Sequence, residues 1–124
     1  MKCVIGTDIG TSSAKAVALT EDGKVITTAQ ESYSILQPKP NYQEQVPQTL
    51  LQATLFCIGE IITRLKNRYE ITGFSFSCAM HGIMAVNEKN EPVTNLITWA
   101  DTRSILEAEE LKQSTWAGYL YRQT

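Results

Sequence analysis

Three short apolar runs separated by two turns confine the first 33 residues of this chain to an antiparallel meander. Residues 2–8, Lys-Cys-Val-Ile-Gly-Thr-Asp, predict a strand that ends on a carboxylate, and Ala14 to Leu19 and Val25 to Tyr33 predict a second and a third. Between the last two lies Glu21-Asp22-Gly23-Lys24, an Asp-Gly hairpin turn. The first turn has different chemistry. Ile9-Gly10-Thr11-Ser12-Ser13 places a glycine and then three hydroxyls directly after the Asp8 carboxylate.

Beyond the meander, Gln37 to Gln45 holds two prolines, an Asn and a Tyr and reads as a loop. Pro47 suits the first turn of a helix, where its missing N–H is not needed. Leu51, Leu55, Ile58, Ile62 and Leu65 then step by four and three, the stripe of an amphipathic helix, which Leu50, Cys57 and Ile61 widen. Gly59 inside that helix costs about 1 kcal/mol against alanine and points to close packing there. Ile71 to Cys78 predicts a strand parallel to an earlier one, with Phe74, Phe76 and Cys78 on one face and Ser75 and Ser77 on the other. Ile83 to Val86 and Val93 to Thr98 predict a hairpin around Asn87 to Pro92, and Thr102 to Lys112 a polar helix. Antiparallel strands followed by a crossover helix and a returning strand make an α/β domain with a mixed sheet. An aromatic-rich stretch, Trp116 to Tyr121, promises further structure, and the chain is expected to be a truncated domain.

With 124 residues there is room for one domain. The net charge of −2 and the scattered Lys and Arg argue against a nucleic-acid partner, since phosphate backbones reward clustered cations. The apolar runs are far too short to span a bilayer, so no membrane partner is expected, and no targeting segment opens the chain. Cys3, Cys57 and Cys78 form no C-x-x-C pair and lie in apolar segments, which suggests buried thiols in a reducing, cytoplasmic setting. A lone His81 rules out a multi-histidine metal site.

Three segments carry the chemistry. In the first turn, Gly10 lets the backbone approach a ligand, and the N–H groups and the hydroxyls of Thr11, Ser12 and Ser13 can donate to phosphate oxygens. Asp8 would repel a bare phosphate, so it fits such a site when Mg2+ sits between them, directly or through water. Neither a Walker A pattern nor G-x-G-x-x-G is present, and the turn equally fits an ordinary Ser- and Thr-rich hairpin. Lys15 could reach an anion or face solvent. The second segment, Met80-His81-Gly82, follows a strand end, where His81 could bond a ligand hydroxyl or be satisfied by its own backbone neighbours. The third is Trp99-Ala100-Asp101-Thr102-Arg103. Its Trp ring suits the C–H face of a sugar, while Asp101 and Arg103 can fix hydroxyls or a carboxylate. Asp101 could also be the N-cap of the following helix.

Taken in order, these segments resemble the start of the FGGY family of carbohydrate kinases. The matching stretches are Ile5 to Val17, Tyr42-Gln43-Glu44-Gln45, Ala79-Met80-His81-Gly82 and Leu96 to Arg103, so the likeness runs through essentially the whole chain. It implies an actin-like, ribonuclease-H-type domain with a mixed five-stranded sheet, of which residues 1–124 would be the incomplete N-terminal part, with a second, ATP-binding domain absent. It also implies a cytoplasmic enzyme using ATP and Mg2+. Asp8, Gly10, Thr11, Ser12, Ser13 and Lys15 would lie by the phosphates, Asp8 also by Mg2+, and Met80, His81, Trp99, Asp101 and Arg103 by the sugar. The catalytic base, an aspartate, is expected beyond Thr124. Ile97 to Arg103 looks more like gluconate kinases than xylulose kinases. A non-enzymatic actin-like module that binds sugar or nucleotide is the alternative from another class. One departure stands out: Val46-Pro47 replaces the family's frequent Asp-Pro, removing a capping carboxylate. Unpaired sheet edges and an exposed apolar face lead us to expect a homo-oligomer.

Overall fold

The three strands of the meander form as the turn chemistry predicts, and the fourth strand of their sheet arrives through a helix. The structure, a computed structural model, describes residues 1–123. β1 (Lys2–Ile9), β2 (Ser13–Thr20) and β3 (Val25–Ser32) are successive antiparallel neighbours. Gly23 takes φ +80° in the Asp-Gly turn, a conformation that costs glycine nothing. After a two-residue strand, β4 (Glu44–Gln45), helix α1 (Pro47–Leu65) crosses over and returns the chain as β5 (Glu70–Cys78), parallel to β1. The sheet order is β3-β2-β1-β5. β6 (Leu96–Ile97) pairs with β4 in a separate two-stranded ladder, and α2 (Ile105–Gln113) and α3 (Ala117–Gln123) follow.

Strand alternation decides the core. Cys3 and Ile5 on β1, Ala14, Ala16 and Ala18 on β2 and Ala29 on β3 point to one face, where Ala53, Cys57, Ile61 and Leu65 of α1 cover them. The three alanines of β2 are small enough for the helix to lie close, and the Cys57 thiol reaches the Ala14 carbonyl at 3.4 Å. Ile61 is fully buried, a contribution of about 1.5–3 kcal/mol. The main sheet has four strands among the described residues, where the family likeness implied five.

Several expectations are corrected. The covered side of α1 is Ala53, Thr54, Cys57, Ile61 and Leu65, whereas Leu51, Leu55 and Ile62 of the apolar stripe are exposed. Gly59 has nothing within 4 Å of a Cβ built on it, so packing does not explain it. Cys78 is exposed, while Cys3 and Cys57 are buried. Within the expected hairpin only the isolated bridges Ile83–Ile97 and Val86–Pro92 form, and the polar helix begins at Ile105 rather than Thr102. Val46 makes no side-chain cap on α1, as its apolar side chain requires. Among the described residues, no helix is long and apolar enough to cross a membrane.

Candidate active site

The turn after Asp8 is held by its carbonyls. Gly10 N donates to Ser13 O at 3.0 Å, closing the turn, and a Cβ on Gly10 would lie 3.3 Å from that same oxygen. The Tyr33 hydroxyl donates to Gly10 O at 2.6 Å, and Tyr33 N to Ser12 O at 3.0 Å. The amide of Gln45, itself 2% exposed, donates to Thr11 O at 2.7 Å. Burial, and then the nearby Asp8 charge, push the Tyr33 phenol up, which keeps it a donor. The main-chain N–H groups of Thr11 and Ser12 are left without an acceptor among the described residues.

Asp8 sits on the sheet face opposite α1. It is directly opposite Lys15 on β2 and Ser77 on β5, and Lys15 in turn faces Gln30 on β3. These residues line an open groove of ≈640 Å³ with Gly6, Val17 and Ser75. No ion pair joins Asp8 to Lys15 among the described residues, so the exposed carboxylate and the ammonium both face the groove. Ser12 is exposed at the turn, while Ser13 is buried and belongs to β2 rather than to the accessible turn.

Met80 and His81 follow β5, where Ala79 N donates to Ile9 O at 3.0 Å and so holds them beside the end of β1. Both are exposed, and His81 takes φ 62°. Its imidazole bonds no group among the described residues, so its own backbone does not satisfy it. A Cβ on Gly82 would lie 3.0 Å from the end of the Leu96 side chain, which would have to give way slightly. Trp99, just past β6, is exposed and donates its indole N–H to the Thr11 hydroxyl at 3.1 Å. That bond brings the third segment onto the first.

Asp101 and Arg103 are engaged with the protein itself. Asp101 accepts from Arg103 Nε at 2.9 Å, Arg103 Nη2 at 2.7 Å, Arg103 N at 3.0 Å and Gln43 N at 2.7 Å. Its side chain is 3% exposed, and it does not cap α2, whose N-cap is Ser104. Arg103 Nη2 also meets Glu44 at 2.6 Å, and the guanidinium lies 3.7 Å over the Tyr42 ring. Asn95 donates to the other Glu44 oxygen at 2.9 Å. The hydrogen bonds from Arg103 hold the Asp101 carboxyl well below the usual range, and those from Asn95 and Arg103 lower Glu44. Asp101 and Glu44 in return raise Arg103. The cluster shapes the segment after Trp99 and leaves Arg103 doubly neutralised.

The structure thus gathers Asp8, Gly10, Thr11, Ser12, Met80, His81 and Trp99 at one end of β1 and β5, with Lys15 along the groove and Asp101 and Arg103 behind Trp99. Tyr33, Tyr42, Glu44 and Gln45 organise this site without having been singled out as site residues. The signal for the last three was their place in the polar run before Pro47, which reads as a loop but pairs with β6.

The family model described as the N-terminal domain of the FGGY family of carbohydrate kinases matches residues 3–124. A gluconokinase of Bacillus subtilis is 36% identical over 121 residues, covering 98% of this chain and 23% of the relative. A xylulose kinase of Staphylococcus xylosus is 35% identical over 114 residues, covering 92% and 23%. The crystal structure of gluconate kinase from Lactobacillus acidophilus superposes with a TM-score of 0.90 at 28% identity, covering 98% of this chain and 24% of that one. The chain therefore spans about a quarter of the length of these relatives.

Proposed function

The chain belongs to the FGGY family of carbohydrate kinases, and from that premise we propose that it supplies the phosphate turn and part of the sugar site of an enzyme that moves the γ-phosphoryl group of ATP to a hydroxyl of a sugar or sugar acid. The observation that carries this reading is the 3.1 Å bond from Trp99 to Thr11, which puts a sugar-stacking ring beside a phosphate-type turn.

The geometry supports the following roles. Free N–H groups on Thr11 and Ser12 and the exposed Ser12 hydroxyl offer donors to phosphate oxygens, where charge is neutralised as the phosphoryl group moves. Asp8 is an exposed carboxylate next to the turn, and because no group of three or more His, Cys, Asp or Glu among the described residues could hold a metal ion, Mg2+ there would need phosphate oxygens to complete its ligands. When bound, the ion held by Asp8 would neutralise phosphate charge. Met80, the free imidazole of His81 and the face of Trp99 border the sugar. The base that takes the hydroxyl proton is assigned to an aspartate outside residues 1–124, so this chain by itself is expected to turn over no ATP.

The substrate we favour is gluconate, on the likeness of Ile97 to Arg103 to gluconate kinases. The neutralised Arg103 does not serve its carboxylate, and xylulose is the second candidate. The deciding test is ATP turnover by the longest chain carrying this sequence with gluconate, xylulose, ribulose and glycerol. Gluconate is expected to give the highest kcat/KM. Turnover of none of the four would overturn the kinase reading in favour of a sugar- or nucleotide-binding module.

A further inference from the structure

A trans peptide is planar, with its C=O and N–H on opposite sides. Fixing a carbonyl therefore aims the next residue's N–H the other way. In the turn after Asp8 this happens twice in succession. The Tyr33 hydroxyl holds Gly10 O at 2.6 Å, which turns the Thr11 N–H away from Tyr33. The Gln45 amide holds Thr11 O at 2.7 Å, which turns the Ser12 N–H away from Gln45. Both donors come from the protein side of the turn, Tyr33 being buried and Gln45 being 2% exposed. The two N–H groups they aim are the ones with no acceptor among the described residues.

We propose that Tyr33 and Gln45 are positioning residues that preset the Gly10–Thr11 and Thr11–Ser12 peptide planes for phosphate, so that two adjacent N–H groups face the ligand before it arrives. The inference rests on the proposed nucleotide site and adds residues that touch no ligand themselves. Preorganised donors bind better than donors that must rotate on binding, because the ordering is completed during folding. Neither residue is replaceable by a mere space-filler, since each acts through one donor hydrogen.

The test uses the longest chain carrying this sequence, labelled with 15N and titrated with Mg-ADP, following the amide signals of Thr11 and Ser12. Tyr33→Phe removes one oxygen and Gln45→Met removes the amide at nearly constant volume. We expect the wild-type signals of Thr11 and Ser12 to move on titration. We expect each variant to weaken Mg-ADP binding about tenfold, a loss of about 1.4 kcal/mol, and to shift those two amides even without ligand. Thermal unfolding run in parallel separates this from a general loss of structure, and Tyr33→Phe alone suffices if Gln45→Met fails to fold. Folded variants that bind Mg-ADP as the wild type does would overturn the positioning role and leave the nucleotide site standing. A wild type whose turn amides ignore Mg-ADP would overturn both.

Discussion

Trp99 and Thr11, 88 residues apart in the chain, share a hydrogen bond from indole N–H to hydroxyl at 3.1 Å. It is the direct link between the segment assigned to the sugar and the turn assigned to phosphate. The bond is exposed to water, so its net worth to the fold is about 0.5–1.5 kcal/mol.

Trp99→Phe is accordingly expected to lower the unfolding free energy by about 1 kcal/mol in urea denaturation. It keeps an aromatic face, whereas Trp99→Ala does not. Sugar affinity measured by calorimetry on the longest available chain should fall about tenfold for the alanine variant, the equivalent of one lost stacking contact. Equal affinity of the two variants would remove Trp99 from the sugar site.

The Arg103 cluster sets an acid limit. Its two carboxylates are lower in the folded chain than the unfolded values of about 3.9 for Asp and about 4.3 for Glu. Groups with depressed pKa stabilise above the unfolded value, and that contribution is lost as pH falls through the folded one. The unfolding midpoint should therefore be level above about pH 5 and drop below about pH 4. Arg103→Gln removes the partner that depresses Asp101, so its midpoint should start lower at pH 7 and decline less steeply in acid. A parallel decline in both proteins would contradict this.

The three thiols differ in access. Cys78 is exposed, while Cys3 and Cys57 are buried and burial pushes the Cys57 thiol up. Brief maleimide treatment of the native protein, read by peptide mass mapping, should label Cys78 and spare the other two. In denaturant all three should react.

The uncovered apolar surface of α1 and β5 should drive self-association. Leu51, Leu55 and Ile62 on the helix and Phe74 and Phe76 on the strand are all roughly half exposed. Leu55→Lys with Ile62→Lys is expected to shift the light-scattering mass of this chain towards a monomer with little loss of fold. Ile61→Ala, by contrast, opens the core and should cost about 2–5 kcal/mol. An unchanged assembly in the lysine variant would assign association to another surface.

Local pattern was enough for the meander, α1 and β5, because turn residues and apolar periods act over a few positions. It failed where neighbours decide. The step of four and three through Leu51, Leu55, Ile58 and Ile62 marks an apolar face, but the alanines of β2 admit the side bearing Ala53 and Thr54. Gln45 looks like a loop residue in any window, and only its pairing with Leu96 reveals that its amide is buried against Thr11. The two-residue strands β4 and β6 are too short to leave a period. Asp8, Gly10, Thr11 and Trp99 stood out by type, yet the bond from Trp99 to Thr11 could not be read before the fold brought the two together.

Thr11 is gripped from residues 45 and 99, and Gly10 and Ser12 from residue 33. This has a consequence in time. Ribosomes add about 5–20 residues per second, so the meander can close seconds before Trp99 exists, and until then the turn is a hairpin without its outer brace. Closing loops of this length costs entropy that the later contacts must return. The geometry assigned to phosphate is thus complete only once residue 99 has been made, well after the turn itself.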